Sequence, residues 1–228
     1  MTNQKLSSLV KDFPFATIFL NERHIDYCCG GDHMLYESIA EAGYERSEFL
    51  SSLEAFLSDA QNKYKATVDP SLYEMSVNEL IDHIEATHHL TERNLIASVD
   101  DKLNTILRAH YKNHKEELLT VHSLFSDLRK ELLQHFVEEE EEVFPLLRTK
   151  PTKASIMMVE SLEDDHEAAG TLIKSLQEVT GSFKAPADGC PTYVATYALM
   201  KTLVEDIFLH IFKENSILFP KYKEGAKL

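Results

Sequence analysis

The order of apolar and polar residues changes character once along the chain, near residue 76. From about residue 4 to 60, short apolar groups alternate with turn residues. "FATIFLNERHID" reads as a short helix running into "YCCGGD", a tight turn built on Gly30 and Gly31. "HMLYESIAEAG" and "SEFLSSLEAFLSDAQ" read as two more helices, the first closed by Gly43 as a C-cap. "NKYKATVDPSLYEM" is polar, carries Pro70 and lacks a helical stripe, so it reads as a linker. Beyond it the stripes lengthen. "SVNELIDHIEATHHLTERNLIASV" opens with a capping box, Ser76 and Glu79, and sets Leu80, Ile84, Thr87 and Leu95 on one helical face. A second long helix is expected over about 103–147 with an internal break. A third is expected over 152–180, stopped at Gly181, and a fourth over 191–221. The pattern therefore predicts an all-α protein, an antiparallel four-helix bundle preceded by a small helical N-terminal domain. The expected boundaries are 1–62 for the small domain, 63–75 for the linker and 76–228 for the bundle.

Within the bundle the chain repeats itself. "HFVEEEEEVFP" (135–145) aligns with "HIFKENSILFP" (210–220) at an offset of 75, setting His135 on His210, Glu139 on Glu214 and Phe144-Pro145 on Phe219-Pro220. Each copy is His-x-x-x-Glu, and residues four apart on a helix share a face. An imidazole nitrogen and a carboxylate oxygen one turn apart can grip one metal ion. Each copy also follows another histidine on the preceding helix: His89 before His135, and His166 before His210. Paired inside a bundle, the two units bring four histidines and two glutamates to the core. That donor mixture suits iron, manganese or zinc, and two carboxylates placed to bridge favour a binuclear centre. A single such pair is usually surface decoration; two in register select His89, His135, Glu139, His166, His210 and Glu214 as metal ligands. The Phe-Pro pairs are expected to end or kink their helices. His83, His88, Glu92, His114 and His122 gain no claim from spacing, with an outer partnership to a ligand only the lesser alternative for His114 or His122, and Glu140 is matched by uncharged Asn215.

Composition then narrows the function. The net charge of −15 argues against nucleic acid and against an anionic membrane surface. No stretch approaches 18 uninterrupted apolar residues, and "MTNQKLSSLVKDFPF" lacks the parts of a signal peptide, so a cytoplasmic protein is expected. Cys28 and Cys29 are adjacent and Cys190 stands apart, which is no secreted disulfide framework. The Gly-rich turn is expected to leave the Cys28 and Cys29 sulfurs accessible for redox chemistry or for transfer of iron or nitric oxide; Cys190 is expected to be incidental.

"HIDYCCGGD" near the N-terminus, followed by the duplicated His-x-x-x-Glu ending once as E-N-x-x-L-F-P, resembles the repair-of-iron-centres family of ScdA/YtfE type. The resemblance covers nearly the whole chain. It implies a hemerythrin-like bundle holding two non-haem iron ions with an oxo- or hydroxo-type bridge, on the same six ligands. "LIDHIEATHH" matches the family's first-helix motif with His89 as ligand, except that Glu92 stands where a second histidine is usual. The function implied is repair of iron–sulfur clusters damaged by nitrosative or oxidative stress, by donation of iron. The transient partners would be damaged iron–sulfur cluster proteins, and the state a monomer or homodimer. The alternatives are a nitric oxide reductase forming N₂O at the same site, or a module that binds O₂ or senses iron.

Overall fold

The computed structural model describes residues 1–63 and 67–225, without the side chains of 61–63; residues 64–66 of the expected linker lie outside the described residues. Its helices are α1 Leu6–Asp12, α2 Ala16–Glu22, α3 Leu35–Glu41, α4 Arg46–Lys63, α5 Val77–Ile84, α6 Leu90–Glu138, α7 Phe144–Leu147, α8 Lys153–Val179, α9 Pro191–Lys213 and α10 Phe219–Glu224. No strand is present among the described residues, so the fold is all-α as expected. Two compact units emerge, one formed by Met1–Leu80 with Phe208–Leu228, the other by Ile81–Ile207.

In the first unit, α1 to α4 bury Leu6, Leu9, Leu20, Leu35 and Leu53 completely. Each such side chain contributes about 1.5–3 kcal/mol on leaving water. Phe19 packs edge-on against Phe49 with centroids 5.3 Å apart. Gly43, at φ +78°, closes α3 in the left-handed conformation that its place after the helix requires. Ahead of α5, Val68 and Leu72 are buried, and Pro70–Tyr73 forms a short 3₁₀ helix capped by Asp69. The C-terminal residues belong to this unit. Lys221 donates to the carbonyls of Tyr73 and Met75, and Tyr27 packs on Phe212 at 5.8 Å. The capping box at Ser76 forms as its spacing predicts, with Ser76 N–H donating to Glu79 at 2.8 Å and Glu79 N–H to Ser76 Oγ at 3.3 Å.

The second unit is built on a helical hairpin. The first long stripe and the helix expected from about 103 are continuous, the apolar stripe running on through buried Leu103 and Ile106. The internal break expected within 103–147 falls at His114, whose φ of −127° and ψ of 28° are not helical. The two arms then run antiparallel, as ion pairs along them record: Asp100 with Arg129 at 2.9 Å, Arg93 with Glu140 at 2.8 Å, and Asp82 with Arg148 at 2.7 Å. α8 starts at a capping box between Thr152 and Ser155 and is followed by Gly181 at φ +56°. α9 lies along the hairpin, Tyr193 and Tyr197 donating to Glu117 near the corner and Asp206 meeting His88 at 2.9 Å. The long helices form the four-helix bundle that the stripes predict.

Three helices widen into π-helical turns, over Glu85–His89, Glu139–Val143 and Glu214–Leu218. Single π turns inside α-helices mark functional sites. The first shifts the stripe by one residue. Beyond Leu80 and Ile84 the buried positions are His88, His89, Glu92 and Ile96, whereas Thr87 is exposed and Leu95 half-buried. A regular 3.6-residue count misses that shift, which explains why His88 and Glu92 face inward. The other two turns begin at the glutamate of each repeat. A proline inside an α-helix clashes with the carbonyl four residues earlier and removes a donor. Here the wide turn precedes Phe144-Pro145 and Phe219-Pro220, and α7 and α10 carry on past them, so the prolines neither end nor break the helices.

Candidate metal centre

The second unit gathers four of the six expected ligands. His89 comes from the first π turn and His135 from the last α-helical turn of α6. Glu139 opens the next π turn, and His166 lies mid-way along α8. His89 and Glu139 are wholly buried, His135 and His166 nearly so. Glu139 divides its two oxygens: Oε2 lies 3.2 Å from His89 Nε2, and Oε1 lies 3.4 Å from His135 Nε2. His135 Nε2 in turn stands 3.0 Å from His166 Nε2. The ligand atoms of His135, Glu139 and His166 all fall within 4.8 Å of one another. In the first unit His210 and Glu214 repeat the one-turn pair, Nε2 to Oε1 at 3.2 Å, again buried.

This donor set fits a cation. Neither oxygen of Glu139 accepts a hydrogen bond from the described residues, although the side chain has no exposed surface. A buried carboxylate costs several kcal/mol unless its charge is matched. Two imidazole nitrogens facing each other beside a carboxylate make a coordination sphere in shape and chemistry. Phe136 and Phe144 flank the His89 ring, with centroids 4.7 and 5.8 Å away, and keep the surroundings apolar.

The outward nitrogens are fixed by carboxylates. His89 Nδ1 is 2.7 Å from Glu140 Oε1, and Arg93 donates to both Glu140 oxygens at 2.8 and 3.0 Å. Partial burial pushes the Glu140 carboxyl upward, but hydrogen bonds from Arg93 and then His89 hold it below the usual carboxylate range. His135 Nδ1 faces Asp165 at 3.9 Å, an ion-pair distance, and the His135 imidazole is the main cause that lowers the Asp165 pKa. A carboxylate on one ring nitrogen fixes the tautomer and leaves the other free for a metal. This corrects the reading of Glu140, whose charge has a structural purpose. His114 and His122 bond elsewhere, as the absence of a repeat counterpart suggests: His114 to Asp188 at 3.0 Å and His122 to Asn104 at 3.3 Å. Sequence reasoning missed Glu140 and Asp165. The signal available was the (i, i+5) step from His135 to Glu140, which only a π turn makes meaningful. Glu140→Ala is expected to weaken metal binding about 10- to 100-fold while leaving the number of sites unchanged. A chelator-competition titration measures it, and an unaltered affinity contradicts the role. His88, Glu92 and Asp206 also hold ligand atoms within 4.8 Å of one another, so the neighbour of His89 lies in a buried polar cluster.

The cysteines divide differently from expectation. Cys28 is buried and Cys29 half-exposed, so the Gly-rich turn does not leave both sulfurs accessible. A hydrogen bond with Cys29, then burial and the Asp26 charge, push the Cys28 thiol well above its ordinary range. Cys190 is not inert: its hydrogen bond with His110, helped by the Tyr193 N–H at the start of α9, lowers its pKa to about 7. Iodoacetamide should therefore label Cys190 first, with a rate that rises through about pH 7, while Cys28 stays slow. Peptide mapping of the labelled chain reads the order, and faster labelling of Cys28 refutes it.

A profile of the hemerythrin HHE cation binding domain matches residues 79–222, and one of the ScdA_N domain, described as a domain of unknown function (DUF542), matches residues 2–57. A Haemophilus influenzae protein named as a probable iron-sulfur cluster repair protein is 28% identical over 218 residues, 96% of each chain. An Enterobacter protein named iron-sulfur cluster repair protein YtfE is 26% identical, covering 98% of both chains. A Staphylococcus haemolyticus protein named iron-sulfur cluster repair protein ScdA is 24% identical, over 97% of this chain and 99% of its own.

Proposed function

Because this chain belongs to the hemerythrin HHE cation-binding family, in its ScdA/YtfE-type branch, we propose that it repairs damaged iron–sulfur clusters by donating iron held in its bundle. The buried, hydrogen-bond-deprived carboxylate of Glu139 between two imidazoles carries the metal part of this reading. The proposed ligands, which would hold two irons, are His89, His135, Glu139, His166, His210 and Glu214. The twin His-x-x-x-Glu turns support equal roles for the two halves, since both open a π turn at the glutamate. When bound, iron would supply a redox-active and exchangeable cation. The protein's own part is positional: Glu140 holds the His89 ring with Nε2 inward, Asp165 sets a negative charge opposite His135 Nδ1, and Phe136 and Phe144 exclude water beside His89. Its clients are cluster-bearing proteins that have lost iron, and its setting is the cytoplasm. No helix of the described residues is long and apolar enough to cross a membrane.

The test is anaerobic mixing of the iron-loaded chain with a cluster protein stripped of its cluster, supplied with sulfide. Faster assembly than with equal free ferrous iron supports donation, and equal or slower assembly overturns it. Sustained N₂O production from nitric oxide with an electron donor would favour the reductase alternative at the same residues.

A further inference from the structure

The adjacent thiols of the first unit have no place among the six bundle ligands, yet their geometry is that of a chelate. In an extended dipeptide neighbouring side chains point to opposite sides. Here the turn brings Cys28 Sγ and Cys29 Sγ to 3.9 Å. Two thiolates bound at about 2.3 Å to one tetrahedral ion stand roughly 3.8 Å apart. Asp26 Oδ1 lies 3.2 Å from Cys28 Sγ and accepts the backbone N–H groups of Cys28 and Cys29 at 3.0 and 2.9 Å. The ligand atoms of all three residues lie within 4.8 Å of one another.

The turn is also held rigid. A Cβ on Gly30 would meet the Asp26 carbonyl at 2.6 Å, and one on Gly31 would meet Ser216 Oγ at 2.7 Å. Asn215 Nδ2 donates to the Cys28 carbonyl at 3.3 Å, so the residue after Glu214 clasps the turn. Cys28 is buried while Cys29 is part-exposed and Asp26 exposed, which leaves one open side for an ion to enter. A disulfide suits the pair less well. Adjacent Cα atoms sit about 3.8 Å apart across a trans peptide, below the roughly 4.4–6.8 Å that disulfides span.

We propose that Asp26, Cys28 and Cys29 form a second cation site, taking one thiophilic divalent ion through two sulfurs and a carboxylate oxygen. Sulfur donors select zinc, iron or cadmium over magnesium and calcium. The site stands on its own geometry; the assignment of ferrous iron as its natural cargo rests on the repair function proposed above. Such an ion sits beside the turn that carries Glu214, at a staging position for iron passing to or from that carboxylate.

The iron-loaded, reduced full chain is titrated anaerobically with Cd²⁺, whose ultraviolet charge-transfer absorption reports sulfur ligation and is blind to histidine and carboxylate sites. Absorption saturating at about one cadmium per chain is expected. Cys28→Ser and Cys29→Ser should each abolish the saturable step, Asp26→Asn should weaken it about tenfold or more, and Cys190→Ser should leave it unchanged. Circular dichroism confirms that each variant is folded. A saturable step that survives both Cys28→Ser and Cys29→Ser overturns the site, as does its absence from the unaltered chain. Repeating the titration with Fe²⁺ should give a thiolate band that the same two variants remove; its absence beside intact cadmium binding overturns the ferrous cargo. A chain that binds cadmium in this way yet fails to speed cluster assembly fails the repair reading and not this one.

Discussion

Glu139→Leu is expected to cut the metal content of the purified chain from about two ions to one or fewer, while Glu138→Gln and Glu141→Gln leave it unchanged. The five consecutive glutamates look alike in sequence, but their surroundings differ. Glu139 is wholly buried between His89 and His135, whereas Glu141 and Glu142 are exposed. Retaining an uncompensated carboxylate in that position costs several kcal/mol, so its presence calls for a cation. The metal-free protein should respond in the opposite direction. Without an ion, leucine replaces a costly buried charge with apolar volume, and such exchanges are neutral or stabilising by about 1–4 kcal/mol. Elemental analysis of the loaded variant, paired with thermal unfolding of the stripped one, reads both signs. Equal metal loss at Glu138 or Glu141 would refute the assignment of the inner face.

Stripping the metal should be the second large effect, lowering the thermal midpoint by roughly 8–16 °C. An ion present at a thousandfold excess over its dissociation constant stabilises the folded chain by about 4 kcal/mol. For a protein of this length each kcal/mol moves the midpoint by about 2–4 °C. The donors place the loss in the bundle: His135 Nε2 and His166 Nε2 stand 3.0 Å apart beside a buried carboxylate, an arrangement that a bound cation would stabilise. Histidine ligands must be neutral, so metal binding releases protons, and the gap between loaded and stripped midpoints should shrink as pH falls below about 6.5. Differential scanning calorimetry before and after chelation, at two pH values, measures the gap. An unchanged midpoint on complete removal would mean that the His–Glu cluster does not hold the metal.

Much of this was legible in the residue order, for identifiable reasons. The Ser76–Glu79 box, the Thr152 start and the Gly181 stop are local devices, so α5 and α8 begin or end where the chain announces them. The His-x-x-x-Glu pairs were legible because a four-residue step fixes two side chains on one face regardless of what surrounds them, and the duplication removed chance. The family likeness was legible because "HIDYCCGGD" and the two His–Glu turns occur together.

What the order of residues left open depended on changes in that local rule. The π turn at Glu85–His89 advances the buried stripe by one position, turning His88 and Glu92 inward against a regular count. The turn at Glu139–Val143 gives Glu140 to His89, fifty-one residues away, a pairing no local spacing contains. The hairpin corner at His114 carries no glycine or proline to mark it, so the break expected within 103–147 takes its position from the packing of the two arms. Likewise the last residues join the first unit through Asn215, Ser216 and Lys221, contacts that exist only once distant segments meet. Sequence by itself thus determined the helices, their caps and the twin His–Glu pairs, since backbone periodicity and steric rules act over one turn. Tertiary structure decided which carboxylate orients each histidine and which thiol is buried, because burial and charge pairing are properties of neighbours in space.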